Sequence, residues 1–268
     1  MWKLCGCTAV IVALFLVTIV GCDIDIIEND DQVNNTNYSA EEIVRFSVPV
    51  TGQQQFRLEG ISGEVNITGT AHTDSVKISA LKQVRSESRE DARDHLGYLR
   101  VTLTNRQNEV FAKITQPSES EGRSYIVDYT ISLPDTFEIS VSSVNGPVRI
   151  DSVLNSVDTN NVNGTLSVQD VVGDVSVNLV NGQIFGTQVL PLNGRIDYSV
   201  VNGEIMLHIP RNTSAEISAN VVNGNISTTN LNFSEIESAH NYLLGKLGNG
   251  EGEIRLEVVN GIIRVSGN

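Results

Sequence analysis

Residues 162–182 read VNGTLSVQDVVGDVSVNLVNG, and this stretch decides the fold. It opens and closes on Val-Asn-Gly, with a second break, Val172-Gly173-Asp174, midway between them. Between the breaks apolar residues alternate with polar ones: Leu166 and Val168, then Val175, Val177 and Leu179. A period of two is that of a strand with one buried face. One unit of 18 residues therefore holds two strands and two turns.

Outward from this unit the motif recurs. Its six copies are Val144-Asn145-Gly146, Val162-Asn163-Gly164, Val180-Asn181-Gly182, Val201-Asn202-Gly203, Val222-Asn223-Gly224 and Val259-Asn260-Gly261. Their Asn positions step by 18, 18, 21, 21 and 37 residues. A fixed short period means one structural unit stacked many times. Inward candidates continue with Ile196, Tyr198 and Val200; Ile205, Leu207 and Ile209; and Ile254, Leu256 and Val258. Pro134 and Pro210 each close a strand, where a residue that cannot donate to the ladder is tolerated.

Two all-β arrangements fit. Asn-Gly is a strong hairpin signal, so the chain could be an antiparallel meander or sandwich. Around Asn202-Gly203 that pairing matches Ile205, Leu207 and Ile209 with Val200, Tyr198 and Ile196. Around Asn163-Gly164 it sets Leu166 against Asn161 and Val168 against Thr159, a poor match. The expected fold is instead a β-solenoid, a single-stranded β-helix of 18–21-residue coils, which buries its apolar face against the other half of the coil. There the Val of each motif enters the core and the Gly permits a left-handed turn. The amides of Asn145, Asn163, Asn181, Asn202, Asn223 and Asn260 form a ladder from coil to coil. Gly146, Gly164, Gly182, Gly203, Gly224 and Gly261 are read in the same way, as structural turn positions.

Before residue 135 the pattern is irregular. Phe46-Ser47-Val48, Gln55–Leu58 and Val76–Ala80 alternate as strands, and Glu64–Ile67 after Gly63 is a degenerate repeat. Ser88 with Asp91 reads as a helix start, with Ala92, Leu96 and Leu99 on one face. Hairpin-like strands follow at Arg100–Thr104, Val110–Thr115 and Tyr125–Leu133. The expected organisation is a signal peptide at 1–21 and a tether at 22–42. A domain follows at 43–268, irregular over 43–134 and regular over 135–268.

The N-terminus reads as an address. Lys3 precedes the 13-residue apolar run Thr8–Val20, within the size of a signal core. The run ends in Ile19-Val20-Gly21-Cys22, which resembles a bacterial lipobox. That resemblance implies acylation, palmitate included, at Cys22 and a membrane lipoprotein of the cell envelope. An uncleaved anchor over Leu4–Gly21 is the other reading, and it too places the bulk outside the cytoplasm. Asp23 resembles the inner-membrane retention signal of Gram-negative lipoproteins, which would leave the domain facing the periplasm. Asp23–Glu42 carries seven acidic groups and no Lys or Arg, a self-repelling tether. With the signal gone, Cys22 is the one remaining cysteine, so no disulfide or metal thiolate is expected.

Without Lys3 the chain has 17 basic and 32 acidic groups. Phosphate neutralisation is therefore excluded, and no nucleic-acid partner is expected. No chemistry surfaces either. His72, His95, His208 and His240 are not at metal-ligand spacing, and no Ser lies in a nucleophile elbow. No metal, cofactor or catalytic residue is expected, and the chain is read as not an enzyme.

The repeats, the two strand-ending prolines and the closing segment Gly250–Val265 resemble a bacterial family named "putative adhesin", over about Ile43–Asn268. It is related to the toast-rack β-solenoid domains found with envelope-stress systems, and it is a family of unknown function. The resemblance implies a binding or scaffold module without catalytic residues, whose partner is an envelope protein or a surface ligand. A component of an envelope-stress assembly is the alternative, and a polysaccharide-acting β-helix enzyme a second. The insertion Leu231–Leu247 departs from the family and leaves the coil register there open. Phe185 is the rare outward aromatic.

Overall fold

Valine, isoleucine and threonine dominate the alternating segments, and such β-branched side chains pack well on a pleated, half-buried surface. The computed structural model describes residues 38–268. The signal peptide, Cys22, Asp23 and most of the tether lie outside the described residues. What is described is all-β, with one large mixed sheet and one short helix.

The irregular part supplies β1 (Tyr38–Pro49), β2 (Gln55–Glu59), β3 (Val65–Thr70), β4 (Ser75–Ser86), α1 (Arg89–Leu96), β5 (Arg100–Asn105), β6 (Glu109–Thr115) and β7 (Ser124–Pro134). The strand β1 starts inside the stretch read as tether, because Tyr38–Glu42 pairs antiparallel with Lys82–Ser86. Ser88 caps α1, its hydroxyl accepting the Asp91 N–H at 3.2 Å. Of the three hairpin-like strands only β5 and β6 pair with each other; β7 runs antiparallel to β4 and parallel to β3.

The regular part supplies β8 (Glu138–Asn145), β9 (Val148–Asp151), β10 (Val157–Val171), β11 (Val175–Gln188), β12 (Arg195–Ile209), β13 (Ala215–Thr229), β14 (Phe233–Ser238), β15 (Tyr242–Leu247) and β16 (Gly252–Gly267). From β10 to β13, and again in β16, the strand continues unbroken through Val-Asn-Gly, bending there, and pairs in parallel with its neighbour. Antiparallel pairing, the other arrangement considered, occurs at the two ends, in β1–β4–β7, β5–β6 and β13–β15–β14. The Asn-Gly pairs do not form its turns.

Each long strand divides at its Asn-Gly into a proximal and a distal half. Proximal halves stack as β5–β6–β2–β8–β10–β11–β12–β16–β13–β15–β14. Distal halves stack as β1–β4–β7–β3–β9–β10–β11–β12–β16–β13. The two stacks share one apolar core. Tyr198, from a proximal half, reaches across it, where Gln188 from a distal half donates to its hydroxyl at 2.5 Å. Gly186 leaves the space, since a Cβ there would lie 2.6 Å from that oxygen. Burial raises the Tyr198 pKa above its ordinary value, and the Gln188 hydrogen bond opposes this.

The core candidates from Leu166 to Val258 are all buried, but the motif valines are not. Val144, Val162, Val180, Val201 and Val259 are 38–40% exposed, and Val222 is 68% exposed. This corrects the expectation that they enter the core. Gly182 and its equivalents take φ between +126 and +154, which shifts the inward parity across the bend. Leu179 and Ile184 both point in, five positions apart, so Val180 and Asn181 point out.

Leu231–Leu247 changes the order of stacking. It forms the hairpin β14–β15, laid antiparallel on the proximal half of β13. The chain then returns, and β16 lies between β12 and β13, parallel to both. The last repeat in sequence is thus the last but one in space.

Candidate functional site

Along the bend, the six asparagines form a continuous ladder. Nδ2 of Asn163 donates to Asn145 Oδ1 at 2.8 Å, Asn181 to Asn163 at 2.9 Å, and Asn202 to Asn181 at 2.8 Å. Asn260 then donates to Asn202 at 2.7 Å, and Asn223 to Asn260 at 2.8 Å. Asn260 precedes Asn223 because β16 sits between β12 and β13. Beside the ladder runs a column of glycines: a Cβ on Gly182 would meet the Gly164 carbonyl oxygen at 1.7 Å, and one on Gly261 the Gly203 oxygen at 1.7 Å. The column begins at Gly63, whose carbonyl lies beneath Gly146.

One residue at this edge has no signal in the repeat. Asn161 occupies the inward position held by Ser143 in the first unit and by Leu179, Val200, Val258 and Val221 in the later ones, and it is buried. Its Nδ2 donates to the Gly146 carbonyl at 3.0 Å and its Oδ1 accepts the Val162 N–H at 2.9 Å. A buried amide with partners at both ends is tolerated in a core.

The outward faces of the two stacks differ in charge. On the proximal face, strands β8, β10–β13 and β14–β16 present Glu138, Asp158, Asp197, Glu216, Glu235, Glu237, Glu253 and Glu257. Only Arg195, Lys246 and Arg255 oppose these eight carboxylates. Near β14 this face holds an open groove of about 550 Å³ lined by Glu216, Glu235, Glu237, Glu253, Leu244 and Lys246. On the distal face the register aligns Arg149, Ser167, Phe185, Met206, Arg264 and Ser227 in one row. The flanking rows hold Thr165, Gln183, Glu204, Ile262 and Asn225 on one side, and Asp151, Gln169, Thr187, His208, Ser266 and Thr229 on the other. Arg149 pairs with Asp151 at 3.3 Å and Arg264 with Glu204, so the four charges in these rows cancel.

Phe185 is not the sole outward ring. Phe111 on β6 lies between the guanidinium groups of Arg57 and Arg106, 5.4 and 5.2 Å from its centre. Arg106 is local, in the β5–β6 turn, but Arg57 comes from β2, more than fifty residues away, so no local pattern could have announced the pair of guanidinium groups around the ring.

The histidines are dispersed. His208 Nδ1 lies 2.5 Å from Ser266 Oγ, and His72 and His240 are exposed. His95 Nδ1 lies 2.9 Å from the Asp91 carbonyl oxygen on α1. Asp91 itself receives two hydrogen bonds from Arg123, at 2.6 and 2.7 Å, and one from Ser86. Arg123 first, then Ser86, holds its carboxyl well below the usual carboxylate range. This cluster ties α1 to the start of β7. Among the described residues no three of His, Cys, Asp and Glu are placed to hold a metal ion, and no helix is long and apolar enough to cross a membrane.

No protein-family model and no curated relative matches the chain. Solved structures do. A "putative cell adhesion protein" from Clostridium sporogenes is 14% identical with a TM-score of 0.45, over 86% of this chain and 100% of that one. A "putative adhesin" from Bacteroides fragilis is 11% identical with a TM-score of 0.34, over 85% and 97%. Another "putative adhesin", from Parabacteroides merdae, is 10% identical with a TM-score of 0.26, over 83% and 95%. The likeness in each case runs across most of both chains.

Proposed function

We infer that this chain is a non-catalytic binding or scaffold module of the cell envelope, held to a membrane through a lipid on Cys22. The observation that carries the reading is the pair of long outward faces, one acidic and one neutral, on a single apolar core. Such surfaces suit an extended partner laid across strands more than a small substrate in a closed cleft. Within this reading the parallel run is a β-solenoid. The registers support it, since each strand pairs with the equivalent positions of another repeat, Asn beside Asn and Gly beside Gly. The sequence resemblance to adhesin-like domains and the export signal support the placement.

A second reading, a component of an envelope-stress assembly, rests on Asp23 and the short acidic tether. At about 20 Å as a coil of some fifteen residues, the tether would hold the domain close to the inner membrane. Crosslinking in intact cells followed by mass spectrometry separates the two. Outer-surface or host partners support the adhesin-like module, and a membrane-bound regulator supports the stress assembly. Recovery of neither leaves no binding role to defend.

A further inference from the structure

We propose that the distal face is a binding surface for an uncharged polysaccharide chain lying across the strands, with Phe185 as its stacking platform. This rests on the binding-module reading and names both its site and its ligand class. The first argument is charge. In a chain with a formal charge of −14, the rows over β9, β10, β11, β12, β16 and β13 sum to zero. Arg149 and Arg264 are occupied by Asp151 and Glu204, so these rows leave no free cation to recognise an anionic ligand. The acidic proximal face and tether repel anionic chains and leave neutral ones unaffected.

The second argument is chemistry. What the neutral rows offer is hydroxyl and amide groups, on Thr165, Ser167, Gln183, Thr187, Asn225 and Ser227. Sugar hydroxyls match that inventory of donors and acceptors. In their midst Phe185, partly exposed, is flanked in register by Ser167 and Met206. An aromatic ring with a thioether beside it is an apolar surface for the CH face of a pyranose. The rows repeat about every 4.8 Å, close to the advance of one sugar in an extended chain. A protein partner fits less well, because an interface core wants contiguous apolar area, and here Phe185, Met206 and Ile262 stand among hydroxyls.

The experiment is affinity electrophoresis of the detergent-solubilised full chain. Gels contain amylopectin, galactomannan, xyloglucan, laminarin or yeast mannan, with polygalacturonate as the anionic comparison. Retardation in at least one neutral gel and none in polygalacturonate is expected. Phe185→Ala should weaken that retardation about tenfold, the weight of one aromatic contact. Phe111→Ala, which removes the ring on the other face, should leave it unchanged. An unaltered thermal midpoint for Phe185→Ala shows that the loss is local. Migration unaffected by all five neutral polysaccharides overturns the proposal, as does equal loss from both substitutions. If the gels are negative but crosslinking returns a protein on the distal face, the glycan is wrong and the binding module stands. If both are negative, the module reading falls too.

Discussion

Gly182 illustrates how tightly single positions are constrained at the bend. Its φ of +140° disfavours any side chain, and the Gly164 carbonyl already fills the space a Cβ would need. Gly182→Ala should therefore cost about 2–4 kcal/mol, combining strain with displaced backbone. Gly97, at φ −68° with open space around it, is the counterexample: Gly97→Ala should stabilise by about 0.4–1 kcal/mol. Urea midpoints of the two variants test the pair, and equal shifts would contradict the assignment. Ile205 and Glu204 make a second contrast across one peptide bond. Ile205→Ala should cost about 2–5 kcal/mol, while Glu204→Ala, which loses a half-exposed pairing with Arg264, should cost under about 1 kcal/mol. The third residue is Asp91. Its pKa is depressed in the folded state, so its contribution is present above the unfolded value of about 4 and is lost as pH falls further. Asp91→Asn should accordingly be less stable than the native chain at neutral pH, with the gap closing in acid. A gap that persists unchanged down to the acid limit would assign the loss to packing instead.

At the scale of elements, the unusual strand is β16. Both of its edges are paired, although it comes after the β14–β15 hairpin in sequence, and Ile254, Leu256, Val258, Ile263 and Val265 are buried. The neighbouring β14 has one paired edge and is exposed along most of its length, with Glu235 and Glu237 as charges that discourage further strand addition. The distal half of β13 is also paired along its length on one side only, by β16. Amide exchange should thus be slowest in β16 and markedly faster in β14 and in Asn225–Thr229. Mass-spectrometric exchange resolved to these peptides checks the order. Faster exchange in β16 than in β14 would mean that the last repeat is not seated between β12 and β13.

For the whole molecule, the division of charge between the two faces gives the domain a direction. If Cys22 carries the proposed lipid, strand pairing from Tyr38 onward leaves about fifteen residues between anchor and domain, which would reach about 20 Å as a coil. Cys22→Ala should release the protein from membranes or leave it as a heavier, unprocessed precursor. Detergent partitioning and intact mass read this directly, and a variant that matches the native chain in both would remove the lipid anchor from the proposed function.

Much of this was legible in the sequence because a strand's period and a repeat's period are local properties. Leu166, Val177, Ile205 and Leu256 are buried as their alternation says, and Ser88 caps the helix it precedes. The ladder asparagines can be counted off from one residue type at one spacing. The exposed valines follow the same alternation, since each comes just after an inward residue such as Leu179 or Val200; what alternation could not give is the inward set beyond each glycine, because the left-handed residue shifts the parity of everything after it. Nor could it give the place of β16: parallel neighbours are chosen by burial and hydrogen bonding between segments far apart, and Val-Asn-Gly at 222 and at 259 fits beside residue 201 equally well. The sequence by itself determined the repeating strand, its inward side and its bends. Only the tertiary structure decided which repeat lies beside which, and so brought Phe185, Met206 and the paired charges onto one neutral face, because stacking order is a property of the packed core and not of any local stretch.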